Sequence, residues 1–266
     1  MTADHLIALA IIQGLTEFLP VSSSGHLNLL HLLTDYPDEG PAIDVAIHVG
    51  SLVAVLVYFW RETFTLIGGV RDLVLFRPTA GRRLVLLLIL ATIPLSIVGF
   101  VMLKTGLVEA VRTLEVIAWS TILFGLVLWA TDAIGRRNRL FSQIGVPDAV
   151  WVGLAQCLAL IPGASRSGVT MSAARALGFE RTEAARFAML VAIPAILVTG
   201  AGTALDLDGD QAAIIANDAL AAAGLSAVTA FVSIWFMMAL LRHTSMMPFV
   251  VYRLVLGVVL LWFAYT

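Results

Sequence analysis

The 266-residue chain is poor in charge, and it has a single cysteine and a single lysine. Charged residues make up 13% of it, against about 25% in a typical soluble domain. One cysteine, Cys157, excludes an intrachain disulfide and any cysteine-based zinc site; in its apolar stretch it reads as a small buried hydrophobe. Lys104, read as a loop residue, is the only lysine, and no Gly-rich phosphate loop leads into it, so P-loop nucleotide hydrolysis is excluded. With a formal net charge of −2 and no basic run interleaved with aromatics, nothing in the chain favours a nucleic-acid partner. The N-terminal Met1-Thr2-Ala3-Asp4-His5 has no basic run, so no cleaved signal peptide is expected.

What the chain has instead is apolar length. Hydrophobic residues are 60% of the sequence and mean hydropathy is +0.96. They are arranged in blocks that match the roughly 20 residues a helix needs to cross a bilayer. Six spans are predicted, over Ile43–Trp60, Leu84–Leu103, Leu114–Thr131, Ala184–Leu205, Leu220–Leu241 and Pro248–Tyr265. Tyr58, Trp60, Trp129, Trp262 and Tyr265 fall at span ends, where interfacial aromatics belong. The fold expected is all-α and membrane-integral, a single domain over residues 1–266.

Two shorter apolar segments, His5–Pro20 and Val150–Pro162, each stop at a proline followed by a Ser/Gly cluster. Segments too short to span that break at such a point suggest re-entrant helical hairpins, whose irregular backbone must be buried in protein or line a wet cavity. Their sequences are related. Gln13…Pro20-Val21-Ser22-Ser23-Ser24-Gly25 and Gln156…Pro162-Gly163-Ala164-Ser165-Arg166-Ser167-Gly168 share Gln, an apolar turn, Pro, a short spacer and Ser-x-Ser-Gly. Three spans follow each, so an inverted-topology repeat is expected, over residues 1–131 and 148–266, with a site where the broken helices meet.

Orientation follows from arginine placement. Arg61, Arg71, Arg77, Arg82 and Arg83 lie in the loop after the first span, and Arg136, Arg137 and Arg139 in the loop after the third, while Arg181, Arg186 and Arg242 flank later spans on the same side. The opposite loops hold Asp35, Asp38, Glu39 and Asp44, then Asp206, Asp208, Asp210 and Asp218. The positive-inside rule puts the arginine loops in the cytoplasm and both termini outside.

Chemistry concentrates in the two clusters. A charge deep in lipid costs about 2.5–3.5 kcal/mol on insertion scales, and Glu17 and Arg166 each incur it. They could simply pair with each other, but a bare pair needs no hydroxyl-rich, glycine-containing loop around it. Ser22, Ser23 and Ser24 before Gly25, and Gly163, Ser165 and Ser167 before Gly168 and Thr170, form an anion cradle in type: glycine allows close backbone approach, loop-to-helix amides bind phosphate, and arginine engages its oxygens bidentately. The same serines can cap the helices that follow, and both uses are expected together. His26, beside these hydroxyls, is a candidate general base that faces Ser23 and takes its proton. Glu17 could orient it or hold a divalent cation on the phosphates. His5, His31, His48 and His243 are read as structural.

These motifs resemble a known family. Gln13-x-x-x-Glu17, then Phe18-Leu19-Pro20-Val21-Ser22-Ser23-Ser24-Gly25-His26, with Pro162-Gly163-Ala164-Ser165-Arg166-Ser167-Gly168-Val169-Thr170, look like the signatures of the bacterial undecaprenyl pyrophosphate phosphatases, or bacitracin-resistance proteins. The resemblance covers essentially the whole chain. It implies hydrolysis of undecaprenyl pyrophosphate to the monophosphate carrier lipid, in the bacterial inner membrane, with Mg²⁺ or Ca²⁺ as cofactor, and it is compatible with a homodimer. By the same resemblance Glu17, His26 and Arg166 are essential, Ser23 is the hydroxyl nucleophile, with direct attack by water as the alternative, and Gln13, Ser22, Ser24, Gly25, Gly163, Ser165, Ser167, Gly168 and Thr170 are the substrate-contacting positions. Position 13 is Gln where many members carry Glu, which weakens any two-carboxylate metal site. The rival class is a lipid or small-molecule transporter or flippase, for which broken helices in inverted repeats are also typical; it needs no nucleophile–base pair.

Overall fold

A computed structural model describes residues 2–34, 40–205 and 216–266. Asp35, Asp38, Glu39, Asp206, Asp208 and Asp210, part of the acidic set above, lie outside them. The helices are α1 (Ala3–Thr16), α2 (Ser23–Leu33), α3 (Pro41–Tyr58), α4 (Trp60–Val74), α5 (Ala80–Thr105), α6 (Leu107–Ala110), α7 (Leu114–Ile134), α8 (Val146–Gln156), α9 (Arg166–Ala176), α10 (Arg181–Leu205), α11 (Ala216–Leu241) and α12 (Met247–Tyr265). No β-strand occurs among the described residues.

All six expected spans are present, as α3, α5, α7, α10, α11 and α12, and each is long and apolar enough to cross a bilayer. Their outward faces carry Ile97, Phe100, Leu123, Val228, Trp235 and Val258, all more than half exposed. Water would not tolerate a surface this apolar, whereas lipid does. α10 is the most buried of the six, with Phe187, Leu190 and Val191 wholly enclosed.

The stretch after the first span is not a loop. It forms α4, whose Phe64, Ile67, Val70 and Val74 make one exposed apolar stripe at helical spacing. Lys104 likewise sits in the last turn of α5, not in a loop. Cys157 is half-buried, its thiol against the Gly153 carbonyl.

The two shorter segments each fold as helix, break, helix: α1 and α2, then α8 and α9. Each first arm packs against a span of the other half of the chain, α1 on α11 and α8 on α5, so the halves interlock. On the arginine-rich side Asp132, at the end of α7, accepts from Arg175 Nε (3.0 Å), from Arg181 Nε and Nη2 (2.7 and 2.9 Å) and from the Met246 amide (3.1 Å). One carboxylate thereby ties together α7, α9, α10 and the start of α12.

Candidate active site

The two breaks have the same local structure, as their shared sequence requires. Ser22 sits at φ 75°, ψ 96° and Ser165 at φ 69°, ψ 112°, left-handed backbone that costs an L residue roughly 1–3 kcal/mol and recurs at functional sites. Each serine is a helix N-cap. The Gly25 amide donates to Ser22 Oγ at 3.4 Å and the Gly168 amide to Ser165 Oγ at 3.2 Å. Each also shares a 3.1 Å hydrogen bond with the serine two residues on, Ser24 and Ser167. Capping, one of the two uses expected of the serines, is thus carried by Ser22 and Ser165, and Ser23 and Arg166 open the helices.

The breaks cross and are stitched together. The Gly163 amide donates to Ser24 Oγ at 3.0 Å, and Ser167 Oγ donates to the Leu19 carbonyl at 2.9 Å. Gly163 is required twice over. It holds φ 90°, and a Cβ there would lie 2.3 Å from the Ile117 carbonyl oxygen. Ser120 donates to the Pro162 carbonyl from behind. The N-termini of α2 and α9, with their partial positive charge, thereby open at one place.

At the crossing, Arg166 Nη2 donates to Glu17 Oε1 at 2.6 Å. Glu17 is buried, at 9% exposure, and its other oxygen accepts from Gln13 Nε2 at 2.8 Å and Ser23 Oγ at 3.3 Å. Ser23, Ser24, His26, Ser165 and Arg166 are half-buried and within reach of a ligand, whereas Gln13, Ser22, Gly25, Gly163, Ser167, Gly168 and Thr170 are buried. Thr170 stands behind the site, its hydroxyl donating to the Arg166 carbonyl at 2.7 Å.

His26 is arranged differently from the expectation that it faces Ser23. Its Nδ1 lies 2.7 Å from the Ser22 carbonyl oxygen. A carbonyl only accepts, so Nδ1 carries the proton and Nε2 the lone pair. That lone pair accepts from the Tyr252 hydroxyl at 2.6 Å, the rings stacked at 5.4 Å. Among the described residues Glu17 makes no hydrogen bond to His26; its partners are Gln13, Ser23 and Arg166.

Three residues that sequence reading passed over belong to this place. Tyr252 is the partner of His26. His48, read as structural, sits with Nε2 3.9 Å from Glu17 Oε2 and Nδ1 2.8 Å from the Asp44 carbonyl oxygen. Arg253, fully buried on α12, donates to the carbonyls of Thr121 (3.0 Å), Pro20 (3.3 Å) and Gly163 (3.0 Å). The signal for Arg253 was available, since it is the one charge within its span; His48 and Tyr252 carry no local motif.

The donor set does not suit a resident divalent cation. Both Glu17 oxygens are engaged, one by a guanidinium. The described residues hold no group of three or more His, Cys, Asp or Glu able to hold a metal ion. Among the described residues Gln13 Oε1 is buried without a partner beside the carboxylate, and a hard cation wants several oxygen ligands.

The family model of the bacitracin resistance protein BacA matches residues 6–259. The chain belongs to the bacitracin resistance protein family. It is 50% identical over 267 residues to an undecaprenyl-diphosphatase of Roseobacter denitrificans, covering 100% of both chains. It is 50% identical to one of a Ruegeria species, over 98% of both, and 47% identical to one of Alcanivorax borkumensis, over 97% of this chain and 98% of the other. With its six apolar spans it is a multi-pass membrane protein.

Proposed function

We propose that this chain hydrolyses undecaprenyl diphosphate to undecaprenyl phosphate and inorganic phosphate, returning the carrier lipid to cell-wall synthesis. The relatives bearing that name match over their full length. The observation that carries the reading is the 2.6 Å Glu17–Arg166 contact at the crossing of two serine-capped helix N-termini inside an apolar protein. A buried pair wrapped in anion-binding backbone is suited to a pyrophosphate headgroup.

On this reading the lipid tail lies against the spans and the pyrophosphate displaces Glu17 from Arg166. Arg166 and the α2 and α9 amides then hold the non-bridging oxygens, where charge spreads in the transition state. Ser23 Oγ attacks the terminal phosphorus. Its proton passes to Glu17, the acceptor it already faces, as the bridging P–O bond breaks and undecaprenyl phosphate leaves. His26 then uses its Nε2 lone pair to deprotonate water, which cleaves the phosphoserine and releases phosphate. The proton held on Glu17 returns to Ser23, and His26 passes the proton taken from water to solvent, which restores the resting site. A divalent cation, on this view, arrives as counter-ion of the pyrophosphate.

The two halves, residues 1–131 and 148–266, are inverted repeats whose hairpins enter from opposite faces. The arginine-rich side is cytoplasmic, and the site opens towards the outer face of the bacterial inner membrane. The deciding experiment is phosphate release from undecaprenyl diphosphate by purified protein in detergent, with and without chelator. Release without any membrane gradient separates a phosphatase from a transporter. Near-normal turnover in both Glu17→Ala and Arg166→Ala would overturn the assignment.

A further inference from the structure

Arg253 is a buried cation with no anionic partner: among the described residues no carboxylate lies within ion-pair distance, and its hydrogen bonds run to backbone carbonyls alone. Two of those carbonyls are special. Aligning Ser22 with Ser165 makes Pro20 the counterpart of Gly163, so one guanidinium grips the same position in both breaks. Its third bond, to Thr121, anchors it to α7, whose Thr121 hydroxyl also donates to the Gly163 carbonyl at 3.3 Å. A Cβ on Gly168, in the first turn of α9, would come within 3.1 Å of its Nη1, so the charge sits directly behind an amide that caps the site.

We infer that Arg253 is a positioning residue for the diphosphate site, setting the separation of the two crossed breaks, and that its unmatched charge is answered by the anionic headgroup. This rests on the phosphatase reading above. Two features argue for it. The planar fork is what allows one side chain to reach Pro20 and Gly163 together, which a lysine ammonium cannot reproduce with the same geometry. And Glu17 and Arg166 cancel, so Arg253 leaves the crossing with net positive charge until an anion binds. A buried cation kept unpaired by its own protein is a poor stability device and a good anion-binding one.

The test compares Arg253→Lys and Arg253→Met with the wild type in detergent, well below each variant's melting temperature. Turnover of undecaprenyl diphosphate and binding of inorganic pyrophosphate, followed by calorimetry, are measured separately. A displacement of about 1 Å at reacting groups costs about 10²-fold in rate. Arg253→Lys, which keeps charge but not geometry, is therefore expected to lose about 10²-fold in kcat while holding pyrophosphate affinity within about threefold. Arg253→Met is expected to lose both; should it fail to fold, the lysine variant alone decides. Wild-type kcat in Arg253→Lys, with only its melting temperature lowered, would reduce Arg253 to a structural tie and overturn the inference. So would loss of pyrophosphate binding by the lysine variant. If instead the wild type releases no phosphate, the phosphatase reading has failed, and the pyrophosphate titration still reports on Arg253.

Discussion

Glu17 and Arg166, 149 positions apart in sequence, meet at 2.6 Å inside an apolar protein. Each is the other's counter-ion at rest, and removing either leaves a poorly solvated charge. The penalty for breaking a fully buried pair is about 3–5 kcal/mol; here the lower end is expected, because the Arg166 side chain keeps 20% of its exposure.

Arg166→Ala is therefore expected to fail in two measurable ways. Turnover should fall by about 10³-fold or more, the scale of losing an arginine from a phosphoryl-transfer site. The melting temperature should fall as Glu17 loses its partner. Arg166→Lys should recover much of the stability and little of the turnover, because an ammonium cannot serve two phosphate oxygens at once. Phosphate release and thermal melting of the same preparations check both halves. A lysine variant with wild-type turnover would show that charge alone matters.

The His26–Tyr252 contact makes a second prediction. Tyr252 donates to the lone pair that the proposed base must use, so the hydroxyl has to leave before water is activated. Tyr252→Phe is expected to keep kcat within a few-fold of wild type, while His26→Ala loses about 10²–10⁴-fold, the usual worth of a general base. Rapid-quench trapping would show phosphoserine accumulating in His26→Ala if Ser23 attack precedes the His26 step. Absence of that intermediate in a slow His26 variant would favour direct attack by water.

How much of this was legible beforehand depended on whether a residue advertises itself locally. The six spans did, because 18 or more apolar residues have few other uses, and so did Glu17 and Arg166, because charge in lipid needs a reason. The cap roles of Ser22 and Ser165 followed from their place before a helix. α4 is hard to see in the sequence because Arg61, Glu62, Arg71 and Asp72 stand among Phe64, Ile67, Val70 and Val74 and mask the helical period of that stripe. His48 and Tyr252 reach the site only through packing of α3 and α12. Arg253 was readable in principle, as the lone charge of its span, but nothing local says that its partners are carbonyls more than 80 residues away.

Outside the spans, Asp148 offers a pH test. Arg139 binds it through two hydrogen bonds, of 2.8 and 2.7 Å, and the Gly145 amide adds a third at 2.8 Å. Burial alone would raise the Asp148 pKa, but the Arg139 hydrogen bonds, the Gly145 amide and the Arg139 charge outweigh it and hold the carboxyl below its ordinary value of 3.8. The folded-state value is thus the depressed one. The stabilisation is complete above the unfolded value and is lost as pH falls through the folded one, below about pH 4. Asp148→Asn should melt lower than wild type at pH 7, and the gap should close on acidification below pH 4. A gap that stays constant from pH 7 to pH 3 would show that the charge of Asp148 contributes nothing.

The cation makes the sharpest contrast with expectation from family resemblance. A resident metal ion would stabilise the substrate-free protein by mass action, by about 2.7 kcal/mol at a hundred times its dissociation constant. With both oxygens of Glu17 engaged and Gln13 in place of a second carboxylate, no such stabilisation is expected. Millimolar Mg²⁺ or Ca²⁺ should leave the melting temperature of the substrate-free protein unchanged, and chelator should do the same. With inorganic pyrophosphate present, the ion should raise the melting temperature, because the phosphates supply the oxygen ligands that the side chains do not. The order of addition matters to the interpretation. An ion that stabilises the protein before pyrophosphate is added must have found ligands of its own, and Arg166 would then have to stand away from Glu17 in the resting enzyme.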